Sequence, residues 1–168
     1  AHENGRDVVL AGRSLYRMVA AAKETGYLPE DMVFVDESEA GYIPRDKCLL
    51  ICTGSQGEPR AALSRIASGD HPRVSMDDGD TVIFSSRVIP GNEVSISQLQ
   101  NQLASRNINI ITWQDAFVHV SGHPARDELT EMYHLAKPQI AVPVHGEARH
   151  MIEHAKLARE CQVQQAIV

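Results

Sequence analysis

DVVLAGRSLYRMVAAA, residues 7–22, contains a short apolar run, a polar junction and then a change of period. Val8 to Ala11 are apolar without a break, which is how a strand buried on both faces of a parallel sheet reads. Beyond Gly12-Arg13-Ser14, the residues Leu15, Met18, Val19 and Ala22 recur at helical spacing. Strand, short polar loop and amphipathic helix thus follow one another within a single stretch.

The same unit recurs five times along the chain. Cys48–Cys52 (CLLIC) predicts a second buried strand, followed by a helix through Ala62, Leu63, Ile66 and Ala67. Thr81–Phe84 (TVIF) precedes a helix with Ile96, Leu99 and Leu103 on one face, and Ile108–Thr112 is a further strand. Ala116–Val120 (AFVHV) leads to a helix bearing Leu129, Met132, Tyr133 and Ala136. Ile140–Val144 (IAVPV) leads to one bearing Met151, Ile152, Ala155 and Ala158, and Gln165–Val168 starts another strand. Val33–Val35 can add one more, before a polar, turn-rich loop from Asp36 to Asp46. Alternation of this kind predicts an α/β fold with a parallel sheet covered on both faces. Ser121–Arg126 (SGHPAR) is the place where one unit hands over to the next.

With 168 residues, 43% apolar and 23% charged, the chain has the balance of a globular domain with a sizeable core. No apolar run approaches the ~20 residues of a membrane span, so no membrane partner is expected. The chain opens on Ala-His-Glu-Asn-Gly, with no initiator Met and no secretory pattern, as expected of a cut-out piece or a processed chain. Cys48, Cys52 and Cys161 are odd in number, lie among apolar residues and form no Cys-x-x-Cys, which predicts buried free thiols and a reducing, cytoplasmic setting. The net charge of −6, without a basic tract, excludes a protein that grips nucleic acid by bulk electrostatics. If the chain touches RNA, it must do so through a local pocket or with help from other sequence.

Polar residues collect where strands end: Gly12-Arg13-Ser14, Thr53–Glu58, Ser85-Ser86-Arg87, Ser121-Gly122-His123 and His145-Gly146-Glu147. In a parallel sheet these junctions share the carboxyl edge, where ligands bind, and each opens a helix whose free amides favour an anion. A single such junction is ordinary turn and capping chemistry. Five in succession, two with histidine, point to a phosphate pocket built from Ser86, Ser121 and His123.

Of the eight histidines, His2 and His71 read as surface residues, His134 as structural, and His119 as a hydrogen-bonded core residue inside a strand. His123 and His145 differ, because a junction imidazole can donate to phosphate, shuttle a proton or bind a metal. His150 and His154, four apart on one helix, could join His145 in a three-histidine zinc site, or could simply face solvent. The chain has no His-Glu-x-x-His, no Gly-x-Gly-x-x-Gly and no phosphate-binding Gly-x-x-x-x-Gly-Lys.

Taken together, Thr53–Pro59 (TGSQGEP), Ser85–Glu93 (SSRVIPGNE), His119–His123 (HVSGH) and Pro143–Glu147 (PVHGE) strongly resemble ribonuclease J, a β-CASP member of the metallo-β-lactamase superfamily. The resemblance covers nearly the whole chain. It implies a Rossmann-like, parallel-sheet portion of a β-CASP domain over residues 1–124 and the returning β/α portion of a metallo-β-lactamase fold over 125–168. It implies hydrolysis of RNA, internally and from a 5′-monophosphorylated end, with two zinc ions in the complete enzyme. His123 matches the family's motif B histidine, which assists at the scissile phosphate. His145 matches the motif C histidine, a zinc ligand, and its being His rather than aliphatic resembles the RNA-cleaving branch. Ser86, Ser121 and His123 match a pocket for the RNA backbone or 5′ end.

The family's His-x-His-x-Asp-His motif, its other metal ligands and its motif A acid are not in these 168 residues. The resemblance therefore predicts a chain that needs the remainder of a parent metallo-β-lactamase domain, holds no zinc firmly alone and is inactive alone. In the full-length protein it also implies a possible homodimer. A different class of function, a non-catalytic phosphate- or nucleotide-binding α/β module, rests on the same junctions.

Overall fold

A computed structural model describes residues 1–168, which divide into two compact units, Ala1–Val120 and Ser121–Val168. In the first unit, β1 (Asp7–Ala11) lies between β2 (Val35–Asp36) and β3 (Cys48–Cys52), parallel to both. Val9 pairs with Val35 on one side and Leu50 on the other. A second parallel pair joins β4 (Thr81–Ile83) to β5 (Asn109–Ile111), with Val82 opposite Ile110. The parallel arrangement is as the pattern predicts, but the strands form separate small sheets instead of one.

Three helices belong to this unit: α1 (Arg13–Glu24), α2 (Ala62–Ser68) and α3 (Glu93–Ala104). Leu63, Ala67, Leu99 and Leu103 pack with Val82, Phe84 and Ile108 into one cluster, and Ala11, Ala62 and Ile66 form another. Helix α1 is shallower: Leu15, Val19 and Ala22 are half-buried, while Met18 remains 68% exposed, outside the expected core face. The Tyr16 hydroxyl anchors it, lying 3.0 Å from the Leu10 carbonyl and 3.1 Å from the Asp36 carboxylate.

Cys52 packs against both clusters, and burial pushes its thiol up to about 11. All three cysteines are free and only partly buried. Between β3 and β4 runs a groove of about 1020 Å³, floored by Leu49, Ile51 and Ile83. These side chains are therefore half-exposed, and the expected cover on both sheet faces is incomplete.

Arg106, just beyond α3, closes the far end of the core. Its guanidinium donates to the carbonyls of Ile66 and Ala67, at the end of α2, and to that of Met76, all within 3.0 Å. Last-turn carbonyls have no partner inside their own helix, and a cation there is favoured by the helix dipole as well.

The second unit contains α4 (Arg126–Ala136), β6 (Ile140–Ala141), α5 (Ala148–Glu160) and β7 (Gln165–Ala166), the two strands being parallel. Ala141, Ala158 and Val163 form its core with Tyr133 and Ala166. Strand β6 is shorter than the expected Ile140–Val144, because Pro143 has no N–H to give a ladder.

AFVHV is not a strand. Asp115 turns the chain just after β5, its carboxylate accepting from the Thr112 amide and hydroxyl at 2.8 and 2.7 Å. The hydroxyl bond and then the amide bond hold this carboxyl below its ordinary pKa. An aspartate closing a turn on its own neighbours overrides the β preference of the residues that follow. Phe117, in consequence, is 91% exposed.

Candidate nucleic-acid and metal site

The loop after β4 carries Ser85, Ser86 and Arg87, and a carboxamide from the β3–α2 junction fixes its course. Gln56 Nε2 donates to the Arg87 carbonyl at 2.8 Å, while Gln56 Oε1 accepts from the Ile89 amide at 3.0 Å and from Asn92 Nδ2 at 3.3 Å. Gly57 allows this approach: its φ is +75°, and a Cβ there would stand 2.6 Å from the Ser95 backbone. Only glycine adopts that conformation without cost and leaves room for α3. TGSQGEP thus shapes the loop bearing Ser86, which is half-buried and lies at the carboxyl end of β4. Sequence reasoning singled out this motif but assigned Gln56 no part.

The segment after β5 meets the same loop. His119 Nδ1 lies 3.1 Å from the Ser85 carbonyl, and the Arg87 guanidinium sits 5.2 Å from the centroid of the Trp113 ring. His119 is therefore hydrogen-bonded, as expected, but on a half-exposed loop instead of a core strand.

Three of the four expected site residues lie in the second unit. Ser121 Oγ accepts from the His123 amide at 3.2 Å, a local turn that sets His123 beside its own hydroxyl. Ser121, His123 and Pro124 line an open depression of about 350 Å³, against Leu129 and Met132 of α4. His145, between β6 and α5, has φ +64°, a left-handed conformation uncommon for a residue with a Cβ. Its ring stands edge-on to that of His123, with 6.0 Å between centroids and 90° between planes. Both rings are exposed to solvent. Two imidazoles 22 residues apart in sequence thus face one another, His123 in the loop before α4 and His145 between β6 and α5. Ser86, in the first unit, lies between Ser85, whose carbonyl His119 reaches, and Arg87.

The remaining histidines are occupied elsewhere. His150 Nδ1 accepts from the Glu147 amide at 3.3 Å, closing the start of α5, and His154 Nε2 lies 2.9 Å from the Tyr133 hydroxyl. No three His, Cys, Asp or Glu side chains converge into a group that could hold a metal. The two facing imidazoles are fewer than the three protein ligands a catalytic zinc needs. His71 is not a surface residue: its side chain is 5% exposed and its Nδ1 accepts from the Val74 amide at 3.2 Å. Its pKa is lowered by burial, against the pull of Glu37. His134, expected to be structural, is exposed. No helix is long and apolar enough to cross a membrane.

Comparison with known proteins gives the family. Residues 1–103 match the model for the ribonuclease J β-CASP domain, and residues 115–166 match that for the Zn-dependent metallo-hydrolase RNA specificity domain. Over 157 residues the chain is 53% identical to ribonuclease J of Sinorhizobium meliloti, covering 94% of this chain and 28% of that protein. It is 38% identical to ribonuclease J of Synechocystis over 160 residues, covering 95% of this chain and 25% of that protein. It is also 38% identical to ribonuclease J2 of Bacillus subtilis over 161 residues, covering 95% of this chain and 29% of that protein. The chain therefore spans between 25% and 29% of the length of these three relatives. On the β-CASP match and these identities, the chain belongs to the ribonuclease J family.

Proposed function

We propose that this chain is the RNA-holding part of a zinc-dependent ribonuclease, acting with the remainder of a parent metallo-β-lactamase domain. The single observation that carries the reading is the pair of His123 and His145, edge to face at 6.0 Å, within the segment matched to an RNA specificity domain. The parent hydrolyses phosphodiester bonds of RNA internally and from the 5′ end, preferring a 5′-monophosphate.

In this reading Ser121 and His123 seat a backbone phosphate. The Ser121 hydroxyl accepts from the His123 amide and keeps its own proton to donate, and the exposed imidazole offers a second donor. Within the first unit, Ser86 presents a hydroxyl to RNA. With its phosphate held in line, the leaving oxygen can take a proton from His123. His145 supplies one ligand of a two-zinc centre whose other ligands lie in the rest of the parent. Bound there in the parent, zinc would supply Lewis-acid activation of the attacking water.

The β6–β7 layer supports a covering partner from that same parent domain: Ile140, Val142, Val144 and Ile167 are each more than half exposed. Residues 1–124 are assigned to the β-CASP domain and 125–168 to the returning metallo-β-lactamase segment. The partly buried free thiols suit a cytoplasmic setting, and a homodimer belongs to the full-length protein.

The test is binding of 5′-monophosphorylated RNA to the purified chain, with 5′-hydroxyl RNA as comparator. His123→Ala and Ser121→Ala should each weaken binding by roughly ten- to a hundredfold, the worth of hydrogen bonds to a charged group. Zinc added to the chain alone should produce no cleavage. Equal affinity for both RNAs, unmoved by either substitution, would overturn the phosphate assignment.

A further inference from the structure

We infer that Arg87 and Trp113 form a stacking platform for an unpaired base of single-stranded RNA. The inference rests on the RNA reading above and adds a base-binding element to it. The guanidinium lies 5.2 Å from the indole centroid, yet Trp113 keeps 41% of its surface in water, and Phe117, four residues on, keeps 91%. Aromatic surface of this extent on one loop is costly to leave in water unless something covers it.

Both halves of the stack are held in place. Gln56 pins the Arg87 carbonyl, and the turn at Asp115 fixes the backbone beside Trp113. The His119 contact to the Ser85 carbonyl ties the two loops together. These loops follow the carboxyl ends of the paired strands β4 and β5, and Ser86 is the immediate neighbour of Arg87. A nucleotide whose phosphate meets the Ser86 hydroxyl therefore has a flat, cationic surface close by for its base.

The chemistry suits a chain whose net charge is −6. Such a chain cannot collect RNA by bulk attraction, and a stacking contact supplies affinity that needs no basic patch. Stacking on an aromatic ring is tolerant of base identity because every base has a π-face, and arginine adds a cation–π contribution. Bases paired in a duplex are already stacked and offer no face, so the occupant is single-stranded RNA.

Trp113 is the only tryptophan, so its fluorescence reports the platform directly. The chain is titrated with a 5′-monophosphorylated single-stranded RNA, with an abasic strand of equal length, and with duplex RNA. Quenching is expected with the first alone. Trp113→Ala should weaken binding of the base-bearing strand by about tenfold and leave the abasic strand unaffected. Trp113→Phe should restore most of the affinity, which separates loss of stacking from loss of fold. RNA that binds without quenching, and equally well to Trp113→Ala, overturns the platform and leaves the phosphate reading standing. Failure to bind any of the three RNAs overturns both.

Discussion

In the 1–120 unit, Val9, Ile66 and Leu103 have no exposed surface, and Leu10 keeps 2%. In the 121–168 unit the two most deeply buried core residues are alanines, Ala158 at 0% and Ala155 at 1%. The same strand–helix unit thus builds a branched aliphatic core in one region and a thin, small-residue core in the other. Burying a leucine or isoleucine contributes about 1.5–3 kcal/mol, several times the worth of one methyl group. The region that carries both junction histidines is the one with the smaller reserve of buried apolar surface. What the contrast teaches is that these histidines are held by local turns and a left-handed residue more than by a deep core.

Replacement of a core leucine is the strongest way to break that contrast. Leu103→Ala should cost about 2–5 kcal/mol, read as a lower urea midpoint of the 1–120 unit. Leu157→Ala, in the other unit, should leave that midpoint where it was. Equal loss from both would mean that the two regions unfold as one.

Arg106→Ala comes next. It leaves three carbonyls without their charged donor and should destabilise the first unit by about 2–3 kcal/mol. Arg106→Lys should not restore the loss, since one ammonium cannot reproduce the planar fork. Full rescue by lysine would show that charge alone is what closes the end of α2.

A smaller, pH-dependent effect separates the units further. His71 has its pKa lowered from 6.5 by burial, with Arg65 and Arg73 acting in the same direction and Glu37 opposing them. A folded pKa below the unfolded one means that the unfolded chain binds the proton more tightly. The stabilisation from neutral His71 is therefore complete above about 6.5 and is lost as pH falls through the lowered folded value. Stability of the first unit should decline on acidification through that window, and His71→Gln should flatten the decline. An unchanged slope in the variant would acquit His71.

The least effect is expected from Arg126 and Glu160, which join α4 to α5 at 2.7 Å with both side chains more than half exposed. Arg126→Ala should shift the thermal midpoint of the second unit by the equivalent of less than about 1 kcal/mol. A larger shift would give this surface pair a share in holding the thin core together.

Periodicity was enough to find the parallel strands and their helices, because continuous apolar runs and helical spacing report burial directly. It failed where a local polar contact decided the outcome. AFVHV has the composition of a strand, and the Asp115 carboxylate immediately before it had already turned the chain out of the ladder. His71 sits among charged residues, which reads as surface, yet its ring is shielded and takes a backbone amide. That His123 and His145 each precede a helix was legible, although the strand expected before His123 is not there. Their edge-on geometry was not, since it depends on the left-handed turn at His145. Gln56 and the Arg87–Trp113 stack were invisible for a similar reason: each is a contact between residues some 26 to 36 apart whose types signal nothing alone.

The partly enclosed Cys52 gives the chain a built-in gauge of its own opening. With the thiol pushed up to about 11, only about one molecule in ten thousand carries the thiolate at pH 7 while the first unit is closed. Alkylating reagents therefore mark this sulfur chiefly during excursions that expose it. Cys161, just past α5, lies in the other unit, so the capping rate of Cys52 times the breathing of the first unit alone.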